Sequence, residues 1–164
     1  MPAHVARTML SFSRDGDAWI AQLDCGHRRH IQHRPPLSSY PWVDDPNSRA
    51  THVGQSIECG RCLQRSWPDH VEPAYTLTRT FTEHDVPAGL LAEHRTKPRV
   101  WGRLEVLAGE LTLCFAEPLD ERVTVGAGEW AAIPPELVHR VVLEGPVEFR
   151  VAFHRCPDVP MTPR

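Results

Sequence analysis

The second half of the sequence is a series of short apolar segments that turns separate, with no helical pattern between them. Within Tyr75–Phe81, for example, β-branched and aromatic residues alternate with polar ones, which is typical of a half-buried strand. Turn-forming pairs such as Ala108-Gly109 and Gly145-Pro146 follow several segments. Seven segments share this character: Tyr75–Phe81, Val100–Leu107, Glu110–Phe115, Arg122–Val125, Glu129–Ile133, His139–Leu143 and Val147–Phe153. Short strands at this spacing predict a mainly β protein, an antiparallel sandwich or a small β-barrel.

The first half of the sequence has a different texture and is predicted to form a smaller, β-rich module. Met9–Phe12 and Ala18–Leu23 are apolar segments on either side of an Asp-Gly pair, which is a strong signal for a β-hairpin. The texture changes near residues 67–74, where prolines interrupt the chain. The sequence therefore predicts two modules, residues 1–72 and residues 73–164, and each is long enough for a small fold.

The cysteines are unevenly distributed along the chain. Cys25, Cys59 and Cys62 lie in the first 62 residues together with His27, His30 and His33, whereas Cys114 and Cys156 lie in the second half. A structural zinc ion takes four nitrogen or sulfur ligands, and a Cys-x2-Cys pair is a common source of two of them. The sequence therefore predicts a zinc-ribbon-like first module rather than a module with disulfides.

Cys59 and Cys62 provide two zinc ligands in this prediction, and Cys25 provides a third. His27 is the predicted fourth ligand, because side chains two residues apart on an extended chain lie on the same face. His30 is the alternative fourth ligand if the chain turns tightly after Cys25. Two other interpretations are unrelated thiols and a redox Cys-x2-Cys pair, although the sequence lacks the βαβ pattern of the redox proteins.

The region around His94 and His139 resembles the two sequence motifs of the cupins, which are small barrels also described as double-stranded β-helices. Gly128, Pro134, Glu136 and His139 follow the spacing of the second motif, with Glu136 in place of a glycine. In the first motif His94 is present, Thr96 stands where a second histidine is expected, and Gly102 stands where a glutamate is expected. The resemblance predicts a cupin barrel with a reduced set of metal ligands.

The cupin resemblance implies that His94 and His139 point into the barrel and share a divalent metal ion. The alternative is a pair of hydrogen-bonded core histidines without a metal. The third ligand is left open, because strand alternation directs Leu104 inward and Glu105 outward. The available candidates are Glu93, Glu105, Glu136, Glu148 and His154.

Residues 74–156 resemble the cupin-like module of tellurite-resistance proteins of the TehB type. The sharpest similarities are His94-x-Thr96-Lys97, Trp101-Gly102-Arg103-Leu104, Gly109, Pro134, His139 and Phe153. The resemblance implies a cupin fold and a link to oxyanion or stress response. It does not imply methyl transfer, because the sequence contains no glycine-rich loop for the methyl-donor cofactor.

Residues 8–65 resemble a small bacterial Cys/His domain family of unknown function. The shared residues are Cys25-Gly26-His27, His30, His33, Pro35-Pro36, Pro41-Trp42-Val43, Gly54 and Cys59-x2-Cys62. This resemblance implies a fold supported by a metal ion, but it implies no activity.

Lys97 and Arg103 are candidate ligand-binding residues because their positive charges lie beside the first motif. Arginine matches the geometry of oxyanions, so the pair is predicted to bind a small anion. The alternative is solvated surface charge that nearby glutamates balance.

Composition limits the classes of partner and the cellular location that are expected for this sequence. The net charge is −3 and no basic block is present, so a nucleic-acid partner is not expected. No apolar run reaches the roughly 20 residues of a membrane helix, and the N-terminus has no signal-peptide pattern, so a cytoplasmic protein is expected. Cupins often pair through a sheet edge, so the resemblance also implies a homodimer.

The sequence therefore predicts a metal-binding protein with structural zinc in the first module and a metal or small anionic ligand in the second. One alternative is a metal-dependent oxygenase or isomerase that acts on a small molecule. Another is an adaptor whose zinc module binds a partner protein. The reduced ligand set at His94 and His139 favours a binding protein over an enzyme.

Overall fold

The computed structural model describes residues 4–157 and contains two β-sheets. The first sheet is antiparallel, with strand order β3-β2-β1-β4. Its strands are β1 (Ala6–Asp15), β2 (Ala18–Leu23), β3 (Arg28–Ile31) and β4 (Ser56–Glu58), and the same part of the chain contains a 3-10 turn (Pro41–Val43), helix α1 (Pro46–His52) and helix α2 (Gly60–Leu63). Gly16 turns the β1–β2 hairpin with a φ of +57°, so the predicted hairpin is confirmed.

The second sheet has seven strands and is organised around one long strand. Its elements are β5 (Thr76–Leu77), β6 (Phe81–Thr82), helix α3 (Ala88–Leu91), β7 (Val100–Phe115), β8 (Arg122–Gly126), β9 (Trp130–Ile133), β10 (His139–Val142) and β11 (Val147–Arg155). The first half of β7 pairs with β9 and β11, and its second half pairs with β8 and β10. The mainly β fold class is confirmed.

The prediction of a turn at Ala108-Gly109 is wrong, because β7 continues through this pair. Gly109 has a φ of +74°, and a Cβ atom at this position would lie 2.1 Å from the carbonyl oxygen of Pro146. The pairing of β7 with β11 shifts register just before this glycine, between Glu148 and Phe149. The glycine therefore lets one strand change partners without ending.

The strands of the second sheet, which the sequence predicts to be cupin-like, do not close into a barrel. Among residues 4–157, the hydrogen-bonded pairs connect the strands in branches from β7 and β11, and no pairing completes a ring. The predicted closed barrel is therefore corrected to an open, cupin-like sheet. No helix of the described part of the chain is long and apolar enough to span a membrane.

The two sheets share one apolar core. Its buried members include Met9 and Leu23 from the first sheet and Trp101, Leu104 and Phe149 from the second. The first sheet ends at Glu58 and the second begins at Thr76, on either side of the boundary that the sequence predicts. The shared core brings the cysteine-rich end of the first sheet against β7.

Candidate metal centre and ligand pocket

Four predicted ligands lie together where the first sheet meets α2. Cys25 and His27 lie in the turn between β2 and β3, and Cys59 and Cys62 lie at the start of α2. The ligand atoms of these four residues all lie within 4.8 Å of one another, and all four residues are buried. These residues are called the Cys/His cluster below. It is the one group of three or more potential metal ligands found among residues 4–157.

The distances within the Cys/His cluster match a tetrahedral metal site. The Nδ1 atom of His27 lies 3.4 Å from the Sγ atom of Cys25, 3.3 Å from that of Cys59 and 3.5 Å from that of Cys62. The Sγ atoms of Cys25 and Cys59 are 3.8 Å apart. Zinc–sulfur bonds of about 2.3 Å and zinc–nitrogen bonds of about 2.0 Å place tetrahedral ligand atoms about 3.5–3.8 Å apart. The four side chains therefore fit a zinc ion without rearrangement.

The hydrogen bonds of His27 select the nitrogen that faces the thiols. Its Nε2–H group donates to the carbonyl oxygen of Ser66 at 2.8 Å, because a carbonyl can only accept. This bond directs Nδ1 toward the three thiols, and Nδ1 would bind a metal ion once it has released its proton, which is the usual arrangement for a histidine that binds a metal. His30 does not reach the cluster, because its side chain is 63% exposed and its Nε2 atom lies 3.1 Å from Asp15. The structure therefore brings His27, and not His30, to the three cysteines.

The thiols strongly shift the pKa values of one another, because they are close together and buried. The hydrogen bond from Cys25 lowers the pKa of the Cys59 thiol, and the same bond raises the pKa of Cys25. Burial opposes a charge on His27, but hydrogen bonds to Cys59 and Cys62 outweigh it and raise the pKa of His27 to about 9. Such a group of thiols holds negative charge that a metal cation would neutralise.

Arg7 contacts the Cys/His cluster from the first strand, and no pattern in the sequence indicates this contact. Its side chain is 5% exposed, and its Nε–H group donates to the Sγ atom of Cys62 at 3.4 Å. One terminal nitrogen donates to the carbonyl oxygen of Pro135 at 2.7 Å, and the other lies 3.7 Å from a carboxylate oxygen of Glu136. Three thiolates and one divalent cation carry one net negative charge, so the buried guanidinium is the matching counter-charge.

The Cys/His cluster lies against the second sheet. The indole of Trp101 on β7 packs edge-on against the ring of His27, with 5.3 Å between the ring centroids. Gly26, between the first two ligands, has a φ of +84°, and a Cβ atom there would lie 2.4 Å from the carbonyl oxygen of His70 and 3.0 Å from the Sγ atom of Cys156. The tight packing explains why a glycine stands between two ligands. The cluster therefore packs against the second sheet, although all four of its residues belong to the first module.

Cys114 and Cys156 are not part of the cluster, and all five cysteines are free thiols. Burial raises the pKa of Cys156 to about 12, so this thiol is neutral beside the cluster.

The second predicted pair, His94 and His139, lies together at a pocket in the cupin-like sheet. Their ring centroids are 4.2 Å apart, and their backbones pair through an isolated β-bridge. His139 is 2% exposed, and burial lowers its pKa to about 4, so its imidazole is neutral at pH 7. The pocket has a volume of about 110 Å³, and apolar side chains form most of its wall.

Both histidines of the pocket have the same tautomer. The Nδ1–H group of His94 donates to the carbonyl oxygen of Ala92 at 2.9 Å, and that of His139 donates to the carbonyl oxygen of Leu137 at 2.8 Å. Each Nε2 atom therefore keeps its lone pair, and none of the hydrogen bonds among the described residues uses either atom. The pocket offers two acceptor nitrogens to a ligand.

The packing of Gly102 against Ile133, a residue of the pocket wall, explains the missing glutamate of the first cupin motif. A Cβ atom at Gly102 would lie 3.2 Å from the Cβ atom of Ile133, which occupies the space that a longer side chain would need. Leu104 is buried and lines the pocket, whereas Glu105 pairs with Arg103 and Arg150, as strand alternation predicts. No third His, Cys, Asp or Glu joins the two histidines in a metal-sized group within residues 4–157.

Glu136 keeps the backbone geometry of the glycine that the second motif has at this position. Its φ is +63°, in the left-handed region that glycine favours, and its N–H group donates to the Oγ1 atom of Thr96 at 3.2 Å. Thr96 lines the pocket, so this bond joins the loop before His139 to the pocket wall.

The charged residues at the pocket differ from those that the sequence suggests. Arg95 and Thr96 line it, and no pattern in the sequence singles out Arg95. Neither Lys97 nor Arg103 belongs to the lining; Arg103 pairs with Glu105 at 3.1 Å and stacks on Trp130 with 4.2 Å between its guanidinium carbon and the ring centroid. An anion bound by Lys97 and Arg103 would therefore lie outside this pocket.

Comparisons with known families confirm both resemblances. Residues 10–66 match the model of a family described as proteins of unknown function (DUF3565), and residues 77–151 match the model of the TehB-like domain. No curated protein matches the sequence.

Three solved structures illustrate the similarity of the second sheet. A protein from Escherichia coli K12 is 24% identical with a TM-score of 0.51, and the match covers 56% of this chain and 96% of that protein. TehB from Haemophilus influenzae is 22% identical with a TM-score of 0.48, over 54% of this chain and only 32% of TehB. A cupin protein from Bacteroides fragilis is 14% identical with a TM-score of 0.37, over 58% of this chain and 92% of that protein. Similarity at this level shows the fold alone.

Proposed function

We propose that this chain, in which a DUF3565-type module precedes a TehB-like module, is a cytoplasmic metal-binding protein. Cys25, His27, Cys59 and Cys62 hold one structural zinc ion, and the pocket at His94 and His139 binds one small ligand. The observation that supports the zinc site is the set of distances between its ligand atoms, 3.3–3.8 Å, which are those of a tetrahedral site.

Zinc is the metal that best suits this donor set. Three thiolates and one imidazole in a tetrahedral arrangement favour zinc over magnesium, calcium and manganese, which prefer oxygen ligands. Four protein ligands fill the tetrahedron, and all four are buried, so no coordination position is open to a substrate. The zinc ion would therefore stabilise the structure and would not take part in catalysis.

A structural role also agrees with the position of the site. The four ligands come from two segments of the first module that are 34 residues apart, Cys25 to Cys59, and the turn at Cys25 contacts Trp101 of the second sheet. A metal ion would join these segments, and a small first sheet gains most from such a cross-link.

Metal analysis of the purified protein tests the zinc site. Wild-type protein should contain about one zinc ion per chain, and Cys59→Ser should contain little or none, because one serine hydroxyl does not replace a thiolate ligand. Cys114→Ser is the matched control, since Cys114 is also buried but lies outside the cluster. Iron in place of zinc, or equal zinc in all three proteins, would contradict the proposal.

A divalent metal ion is the second candidate ligand for the pocket at His94 and His139. The free Nε2 atoms of His94 and His139 support it, because hydrogen bonds from Nδ1 to a carbonyl are common in histidines that bind metals. A ratio of two metal ions per chain, falling to one in His139→Phe, would support this candidate. A role in oxyanion or stress response is proposed on the resemblance to the TehB-like family alone.

A further inference from the structure

We infer that the pocket at His94 and His139 binds a small neutral organic molecule that has an apolar body and a single hydroxyl group, namely a phenol or a short alcohol. This inference rests on the proposed ligand-binding role of the second module, and it names the chemical class of the ligand.

The size and the wall of the pocket define the body of the ligand. The apolar part of the wall consists of Leu104, Ile133, Val141, Phe149, Val151 and Phe153. The volume of about 110 Å³ is slightly smaller than an apolar cavity of about 150 Å³ that accepts benzene, so the pocket has room for an apolar body no larger than one six-membered ring. The transfer of an apolar molecule of this size from water to such a wall is favourable in free energy, because its apolar surface is removed from water.

The two histidines define the polar group of the ligand. The Nε2 atoms of His94 and His139 are acceptors, since the Nδ1–H groups are used by backbone carbonyls. His139 is 2% exposed, and an acceptor left without a partner in an apolar site costs free energy. A ligand that donates one O–H group to Nε2 of His139 removes this cost, whereas a ligand without a donor does not.

An anionic group fits the pocket less well than a hydroxyl. A carboxylate oxygen would face the lone pair of Nε2, since the Nδ1–H group of His139 is used by the Leu137 carbonyl, and a charged group would leave water for an apolar wall. The cation in the lining is Arg95, whose side chain is exposed. The selection between a hydroxyl and a carboxylate therefore depends on the buried histidine.

Three probes that share one benzene ring separate these alternatives. Zinc-loaded, full-length protein is titrated with phenol, toluene and benzoate by isothermal titration calorimetry. Phenol should bind about tenfold more tightly than toluene, because it makes one further hydrogen bond to a buried acceptor. Benzoate should bind more weakly than phenol, because it has a charge and no donor at pH 7.

Two histidine variants test whether His139 causes the preference for phenol over toluene. His139→Phe keeps a ring of similar shape but removes the acceptor, so phenol should lose its advantage over toluene while toluene still binds. His84→Phe is the control, since the His84 side chain is 87% exposed and lies outside the pocket lining. Binding of toluene to His139→Phe shows that the variant is folded.

Four outcomes would overturn the inference: equal affinity for phenol and toluene, tightest binding of benzoate, binding of zinc or manganese at the two histidines with no binding of phenol, or no binding of any probe. The zinc content of the Cys/His cluster is measured on the same samples. Loss of zinc with retained phenol binding would contradict the structural zinc site and leave the pocket assignment intact.

Discussion

The indole Nε1–H group of Trp101 donates a hydrogen bond of 2.7 Å to the carbonyl oxygen of Cys25, 76 positions earlier in the chain. Trp101 is fully buried at the start of β7, and Cys25 is a member of the Cys/His cluster. The bond therefore joins the cupin-like sheet to the backbone of the proposed zinc site. It makes the stability of the cluster depend on a residue of the other module.

Replacement of Trp101 by phenylalanine tests this connection. Trp101→Phe leaves the Cys25 carbonyl buried without its donor and also removes part of a packed ring, so the free energy of unfolding should fall by about 2–4 kcal/mol. Urea denaturation of the zinc-loaded protein measures the loss. Trp130→Phe is the matched control, because Trp130 is 42% exposed, and it should cost less than half as much. Equal losses in the two variants would show that Trp101 has no special role.

Arg7 is predicted to stabilise the proposed zinc site electrostatically. Arg7→Met keeps the length of the side chain but leaves the negative charge of the site buried, so stability should fall by about 3–5 kcal/mol. A chelator should also remove zinc faster from the variant than from the wild type. Arg79→Met is the control: its ion pair with Asp85 is about half exposed, so the change should cost less than about 1 kcal/mol. Equal rates of zinc loss in wild type and Arg7→Met would count against this role.

The sequence was sufficient to predict that Cys25, Cys59 and Cys62 lie together, because Cys-x2-Cys is a local pattern with a direct geometric meaning, and the Cys-x-His spacing favoured His27 over His30 as the fourth member. The resemblance to the cupin motifs also implied a mainly β second module and the proximity of His94 and His139. The sequence could not single out Arg7, whose partners Cys62 and Pro135 are 55 and 128 positions away. No periodic pattern encodes such distant contacts.

The sequence was also not sufficient to predict that the cluster lies between the two sheets. A zinc-binding spacing describes the ligands, but it does not indicate which surface packs against Trp101. The open sheet has the same cause, because the segments predict strands but not whether the last pairing closes a ring. Positive charge beside the first motif indicates Lys97 and Arg103, but it does not show which side chain turns toward the pocket, and the structure places Arg95 there instead.

The pH dependence of stability should report on His139. Burial lowers the folded-state pKa of this group to about 4, below the unfolded value of about 6.5. The unfolded chain therefore binds the proton first, so this stabilisation is present above pH 6.5 and is lost as the pH falls toward 4. The loss attributable to His139 should reach about 3 kcal/mol at pH 4.

The His139→Phe variant separates this effect from the loss of zinc at low pH. Acid also protonates the cysteines of the cluster, but that contribution is common to both proteins. The unfolding free energy of the variant should therefore change less steeply between pH 6.5 and pH 4.5 than that of the wild type. Parallel curves would mean that His139 is not buried as a neutral imidazole.

Gly102 offers a way to test why the pocket has two histidines and no carboxylate. Gly102→Glu alone should lower stability by about 1–3 kcal/mol, because its Cβ would lie 3.2 Å from that of Ile133 and the well-packed wall must shift. The double variant Gly102→Glu with Ile133→Ala removes the obstructing side chain and gives the carboxylate space beside His94 and His139. Two imidazoles and a carboxylate suit a divalent metal such as manganese or iron, so the double variant should bind manganese at least tenfold more tightly than the wild type. Ile133→Ala alone is the control, since it opens the same space without a new ligand. Manganese affinity that is equal in the double variant and in Ile133→Ala would show that Ile133 does not occupy the place of the missing ligand.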